Sequence, residues 1–268
     1  MSIAKIGKEM NSKNNIKPIS IWFTLILFGI PGLVLYYGTF YGAPLLISKG
    51  VPQIISIMSF TWVTTILLIP LSLILYKHEG NEMSLRAFKN RFRLNPIPGK
   101  LWFLVIGALI VCLISDLSLD GIGRWLGRIH FFAPPDYLPV PFNPFLEINL
   151  PFKEFLGVQL KGNWGILFVF VPLHITAMLG EELMWRGYIL PRQEVKFGKW
   201  AWLINGLFWA YILHACLKWQ FIGMLPSMLL TPWIAQKCRS TWASAFVHIL
   251  GNSPIWILIL LGILGVGS

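Results

Sequence analysis

Apolar residues occur along this chain in stretches without a single charged side chain, over 18–48, 50–76, 101–115, 162–180, 200–217, 219–236 and 240–268. A hydrocarbon core about 30 Å thick needs roughly 20 helical residues to cross it. Most of these stretches therefore predict membrane-spanning helices. The run 101–115 is short and has to extend through Asp116 to qualify. The expected fold is all-α, a polytopic transmembrane bundle of seven or eight helices with an intramembrane cavity, in one membrane domain over 1–268.

Proline and glycine interrupt several stretches: Gly29, Pro31 and Gly32 in the first, Pro70 in the second, Pro226 and Pro232 in the sixth. Proline removes a backbone donor and clashes with the preceding turn, which predicts kinks. In a bilayer such breaks persist where neighbouring helices or cavity water satisfy the freed carbonyls. The sixth stretch is accordingly a candidate cavity wall. No internal repeat or low-complexity tract is present.

Composition agrees with this pattern, with 56% hydrophobic and 12% charged residues, the latter about half the share usual in soluble domains. A net charge of +11 would point a soluble protein toward nucleic acid. Here the basic residues lie between apolar runs, so they set topology and no nucleic-acid partner is expected. Lys5, Lys8, Lys13 and Lys17 precede the first stretch; Lys77, Arg86, Lys89, Arg91, Arg93 and Lys100 follow the second; Arg192, Lys196, Lys199, Lys237 and Arg239 follow later ones. All are expected on the cytoplasmic side, with the N-terminus, in what the compact length suggests is a bacterial plasma membrane. The segment 116–161, with Pro134, Pro135, Pro139, Pro141, Pro144 and Pro151, predicts an irregular connection on the opposite side. The first stretch is too long for a signal-peptide core and lacks a small-x-small cleavage site, so it is retained as a span. Cys112, Cys216 and Cys238 have no metal spacing and imply no disulfide framework.

Ionisable groups at membrane depth are costly and mark functional sites. Candidates are Glu181, Glu182, Arg186, His174, His214 and His248, with Asn252 as a polar companion. On a helix, Glu182 and Arg186 lie one turn apart, acid before base, and are expected to pair. Glu181 points elsewhere, without that cation, and is left to act as general base toward water. His248 and Asn252 are four apart and share a helix face, so both can donate toward one developing oxyanion. His214, in a further uncharged run, can orient the water or protonate a leaving amine. His174 lies two turns before Glu181 and is expected to pack or support.

The series Glu181-Glu182-x-x-x-Arg186, then His214, then His248-x-x-x-Asn252, resembles the CAAX prenyl protease and bacteriocin-processing family. The resemblance extends over 165–252, the expected catalytic core, and includes Arg186-Gly187-Tyr188-Ile189-Leu190-Pro191-Arg192 and Ser240-Thr241-Trp242-Ala243. It implies an intramembrane glutamic-type endopeptidase, like the type II CAAX prenyl proteases, with a conical cavity open toward the cytoplasm. The residue matching Glu181 would activate water, that matching His214 would assist, and those matching His248 and Asn252 would form the oxyanion hole, with Glu182 and Arg186 in support and no cofactor or metal. The implied substrate is a membrane-associated protein or peptide. Eukaryotic members trim prenylated proteins, and bacterial ones are linked to bacteriocin maturation and self-immunity. The second motif departs from the family at Ala210, where an aromatic is usual; Trp209 and Phe208 lie just upstream.

Three other readings compete. A zinc protease would use His174, Glu181, His214 and His248, but no His-Glu-x-x-His helix is present. A non-catalytic immunity or binding protein would not need the acid. A transporter would use the intramembrane carboxylates and predicts internal pseudo-symmetry, which the sequence lacks.

Overall fold

The computed structural model describes residues 16–150 and 152–266; the expectations placed on Lys5, Lys8, Lys13 and Pro151 lie outside them. Helix α1 covers Ile21–Ser48. It starts where the Ser20 hydroxyl accepts from the Phe23 amide at 3.0 Å, and passes through a π-helical turn at Gly38–Gly42. Helix α2 covers Gln53–His78. Its first segment ends at Ile66, four residues before Pro70, at the carbonyl with which the proline ring would clash. A short helix, α3, covers Leu85–Arg91.

Helix α4, Trp102–Ser118, extends through Asp116 as expected of the short third stretch. The segment after it is less irregular than its prolines imply. It contains helix α5, Asp120–Gly127, and a two-stranded hairpin of β1, Glu154–Phe155, and β2, Val158–Gln159.

Helix α6, Trp164–Glu181, continues as a π-helix over Glu182–Ile189 and then as α7, Leu190–Phe197. The chain breaks at Gly198 with φ +56°, and α8, Ala201–Tyr211, follows. Asn205 Nδ2 donates to the Trp185 carbonyl at 3.1 Å, and Trp209 Nε1 to Glu181 at 2.6 Å. Rising numbers on one arm meet falling numbers on the other, so this 48-residue apolar run is an antiparallel hairpin. Helix α9 covers Leu225–Cys238, α10 Thr241–Gly251 and α11 Ser253–Leu264.

Among the described residues, five helical runs are long and apolar enough to cross a membrane. The chain is an all-α integral membrane protein. The fifth and sixth stretches depart from expectation, because α8 and α9 are only 11 and 14 residues long. Between them a 3₁₀ segment, Leu213–Gln220, leaves helical geometry at His214 and Leu217. Pro226 starts α9 rather than kinking it, at a position where the missing N–H has no helical partner to lose.

Polar contacts sort the connections onto two faces. On one, Glu79 accepts from Arg91 Nε at 3.0 Å and Arg192 Nη1 at 2.9 Å, and Arg192 Nε donates to the Lys17 carbonyl at 3.1 Å. Arg93 Nη2 reaches Glu194 at 2.9 Å, and the Thr241 amide donates to the Arg93 carbonyl at 2.9 Å. Arg91 and Arg93 are buried; Arg91 ties the end of α3 to the end of α2, and Arg93 ties the following residues to α7, so they are not simply solvated topology signals. On the other face, Gln53 Nε2 donates to the Tyr137 carbonyl at 2.8 Å and the Gly162 amide to the Ile263 carbonyl at 2.9 Å. The basic loops therefore share one side, and 130–163 lies on the other.

Candidate active site

Glu181 ends α6 at mid-depth. Its neighbour Gly180 sits against Thr65, the middle of α2, so closely that an added Cβ would stand 2.1 Å from the Thr65 carbonyl oxygen. The π-helix that follows keeps Glu182 and Arg186 together. Arg186 Nη1 stands 3.5 Å from Glu182 Oε1, with both side chains buried. Among the described residues Arg186 makes no hydrogen bond. Its charge is balanced by Glu182 and by the Trp209 ring, whose centroid is 3.6 Å from the guanidinium carbon.

Trp209 is the residue that sequence reasoning missed. Its indole N–H donates to Glu181 Oε2 at 2.6 Å. Its ring stands edge-on to the imidazoles of His214, at 5.6 Å between centroids, and His248, at 5.0 Å. Its carbonyl lies 3.0 Å from His214 Nδ1. Nothing in residue type distinguishes it from the other twelve tryptophans of the 13 in the chain; the signal was its place just before His214.

An uninterrupted helix over the fifth stretch would carry His214 away from Glu181, and the structure does not form one. α8 stops at Tyr211, and His214 occupies the non-helical point of the following segment, at φ −90° and ψ 27°. Gly32 makes room for this departure: a Cβ there would lie 2.2 Å from the Ile212 carbonyl oxygen. A carbonyl oxygen can only accept, so Nδ1 of His214 carries the proton and Nε2 bears the lone pair in the neutral ring.

His248 Nδ1 lies 3.0 Å from Glu182 Oε1. The glutamate expected to answer Arg186 alone thus answers His248 as well. Asn252 is the residue just past α10, and its Nδ2 donates at 3.0 Å to the His248 carbonyl, which also accepts the Asn252 backbone N–H at 3.2 Å. One of its two amide hydrogens is thereby used.

Glu181, Trp209, His214, His248 and Asn252 all line one cavity of about 650 Å³. His174 lines it too, among Trp62, Phe170 and Trp256, whose indole N–H donates to its Nδ1 at 3.1 Å; this is the packing role expected of it. Met224, Ser227, Met228 and Thr231 of the sixth stretch supply part of the wall, as its prolines suggested. Among the described residues, no group of three or more His, Cys, Asp or Glu side chains is arranged to hold a metal ion.

The cavity extends in one direction only. Its lining comes from the first half of α2, the middle and end of α6, the ends of α1 and α4, the loop at 137–142, parts of 209–231 and the α10–α11 junction in the middle of its run, so it widens from mid-depth toward the side away from Arg91, Arg93 and Arg192. Toward the arginine face Glu181 is covered by a packed cluster that includes Trp185, Tyr188, Met184 and Phe28. The cavity therefore lies in the half of the molecule away from Arg91, Arg93 and Arg192.

The segment that bears these five residues has relatives. Residues 163–254 match the family model of type II CAAX prenyl endopeptidases, Rce1-like. The match agrees with the motif resemblance over 165–252, and the family is one of membrane-embedded proteases. It covers α6 to the start of α11, so every candidate site residue falls inside it, whereas α1, α2 and α4, which supply much of the cavity wall, fall outside. No curated protein and no solved structure gives a significant match.

Proposed function

We propose that this protein is an intramembrane glutamic-type endopeptidase that hydrolyses a peptide bond of a membrane-associated protein or peptide. The observation that carries the reading is the convergence of Glu181, His214, His248 and Asn252, from three separate chain segments, on one intramembrane cavity around Trp209. Four such groups at membrane depth are expensive to keep without a task.

Glu181 Oε2 is held by the Trp209 indole, which leaves Oε1 to take a proton from water as the hydroxyl oxygen adds to the substrate carbonyl carbon. His214, with Nδ1–H on the Trp209 carbonyl, turns Nε2 to the same water as an acceptor and steadies its orientation. The carbonyl oxygen becomes an oxyanion. His248 meets it with Nε2–H when the ring is doubly protonated, a charge that Glu182 at Nδ1 compensates, and Asn252 adds its unused amide hydrogen. The proton held by Glu181 passes to the amide nitrogen, the C–N bond breaks, the remaining hydroxyl proton moves to the released amine, and a carboxylate and an ammonium leave. Arg186 keeps Glu182 ionised without touching the substrate. This division of roles needs no metal.

Comparative peptidomics tests the proposal in cell membranes carrying the native protein or Glu181→Gln. Peptides or membrane proteins accumulating uncut with Glu181→Gln are the expected result. Identical peptide populations, with any biological effect intact, would instead make the protein a binding or immunity component.

A further inference from the structure

Among the described residues, four that line the cavity are exposed: Asp116 and Leu117 at the end of α4, and Asn252 and Pro254 at the α10–α11 junction. The exposed part of the lining is thus confined to the end of α4 and the α10–α11 junction, which marks a lateral slot there as the way into the cavity. The slot runs from the middle of the bundle, at the α10–α11 junction, to the end of α4 away from the arginine face. At its rim Asp116 accepts from Ser227 Oγ at 2.9 Å, and among the described residues no cationic side chain pairs with it. Asp120, which also lines the cavity, already holds Arg124 at 2.8 Å. Asp116 is thus a carboxylate with a free electrostatic valence at the mouth of an otherwise mostly apolar cavity. It lies outside the segment shared with the protease family.

We infer that the substrate is a membrane-embedded peptide segment that enters sideways through this slot from the leaflet opposite the arginine face, and that Asp116 receives a basic side chain of that segment. The inference rests on the hydrolytic reading for what happens next, but not for binding. An apolar segment satisfies the cavity's aromatic wall, and the bilayer delivers it in the plane of the slot. A basic residue near its end snorkels toward the interface at which α4 ends, and so arrives at Asp116. A soluble cytoplasmic tail has no such path, because Trp185, Tyr188 and their neighbours close the arginine side. By the charge rule the opposite leaflet is the outer one, so the substrate class is a segment exposed to, or inserted from, the outer surface.

Binding is measured in lipid nanodiscs with three synthetic 20-residue Leu/Ala peptides that carry a single Arg, Gln or Glu near one end. For the full-length protein the Arg peptide is expected to bind roughly fivefold tighter than the Gln peptide, the size of one partly screened ion pair, and the Glu peptide more weakly than either. Asp116→Asn is expected to abolish the ranking and leave Gln-peptide affinity unchanged. Equal affinities for the native protein, or a ranking that survives Asp116→Asn, would overturn the assignment. Sidedness is read in intact cells from a membrane-impermeant thiol reagent, on cysteine-free protein carrying Gly121→Cys, beside the slot, or Lys89→Cys, on the arginine face. Gly121→Cys is expected to react from outside and Lys89→Cys only after permeabilisation; the reverse pattern would overturn the outer-leaflet route. Both readouts stand without turnover, so a protein that binds the Arg peptide and cuts nothing would count against hydrolysis and not against the slot.

Discussion

Trp209 shows how one side chain can organise several others. Its indole donates to Glu181, its ring faces two imidazoles and a guanidinium, and its carbonyl fixes the proton on His214. Trp209→Phe keeps a ring and deletes the N–H. A hydrogen bond to a charged acceptor contributes about 1.5–3 kcal/mol, so kcat/KM is expected to fall about 10- to 100-fold with little change in thermal midpoint. A fall in midpoint without loss of turnover would make the bond merely structural. Arg186 tests the charge behind the site. Arg186→Met leaves Glu182 buried with His248 as its remaining partner, and removing one member of a buried pair typically costs about 3–5 kcal/mol. Thermal unfolding in detergent should show that loss, and adding Glu182→Gln should recover part of it. The Glu182–Arg186 pair was legible from spacing alone, because four residues make one helical turn. Trp209 was not, because its partners come from α6, which the hairpin at Gly198 brings near, and from α10, which only the packed bundle does.

At the level of elements, the informative features are the places where helices stop. Uncharged runs announced the membrane helices and even the extension of α4 through Asp116. They could not announce that α8 ends at Tyr211, since leucine, histidine and alanine carry no break signal. The cause lies elsewhere in the chain, at Gly32, which admits the Ile212 carbonyl against α1. Lys218 was visible as a charge but not as a buried one; its ammonium lies 4.3 Å from the Phe40 ring centroid and 5.1 Å from that of Phe131, which replaces part of its hydration. Gly180 is the most demanding contact between elements. Gly180→Ala sets a methyl 2.1 Å from a backbone oxygen of α2, so α6 must move or bend beside Glu181. Overpacking of this kind costs about 1–3 kcal/mol, and a lower thermal midpoint together with lower turnover is expected. Unchanged midpoint and turnover would show that α2 yields freely.

Across the whole molecule, the two faces have different jobs. The arginine face is held shut by ion pairs, and Glu79 is its shared acceptor. Burial favours protonation of Glu79, but hydrogen bonds and charges from Arg91 and Arg192 outweigh it and hold the carboxyl below its ordinary 4.5. Above that value Glu79 is ionised folded or unfolded, and its contribution is complete. As pH falls below 4.5 the unfolded chain takes up the proton first, and the contribution disappears as pH passes the folded value. Thermal midpoints of native protein and Glu79→Gln should therefore differ near neutrality and converge in acid; a gap independent of pH would contradict this clamp. The opposite face holds the cavity and its slot, and its orientation was the least legible feature of all. Charge counting located the basic loops, but which half of the bundle is hollow depends on side chains from α1, α2, α4 and α6 meeting in space.

The central claim is that Glu181, His214 and His248 work as one unit on one water. The most direct test measures kcat/KM on a substrate found by peptidomics, for Glu181→Gln, His214→Ala and His248→Ala singly and together, with and without a metal chelator. Members of one catalytic unit are strongly non-additive, so the triple variant is expected to be no slower than Glu181→Gln alone, and chelation to change nothing. Losses that multiply across the three sites, or activity that survives Glu181→Gln, would contradict the account.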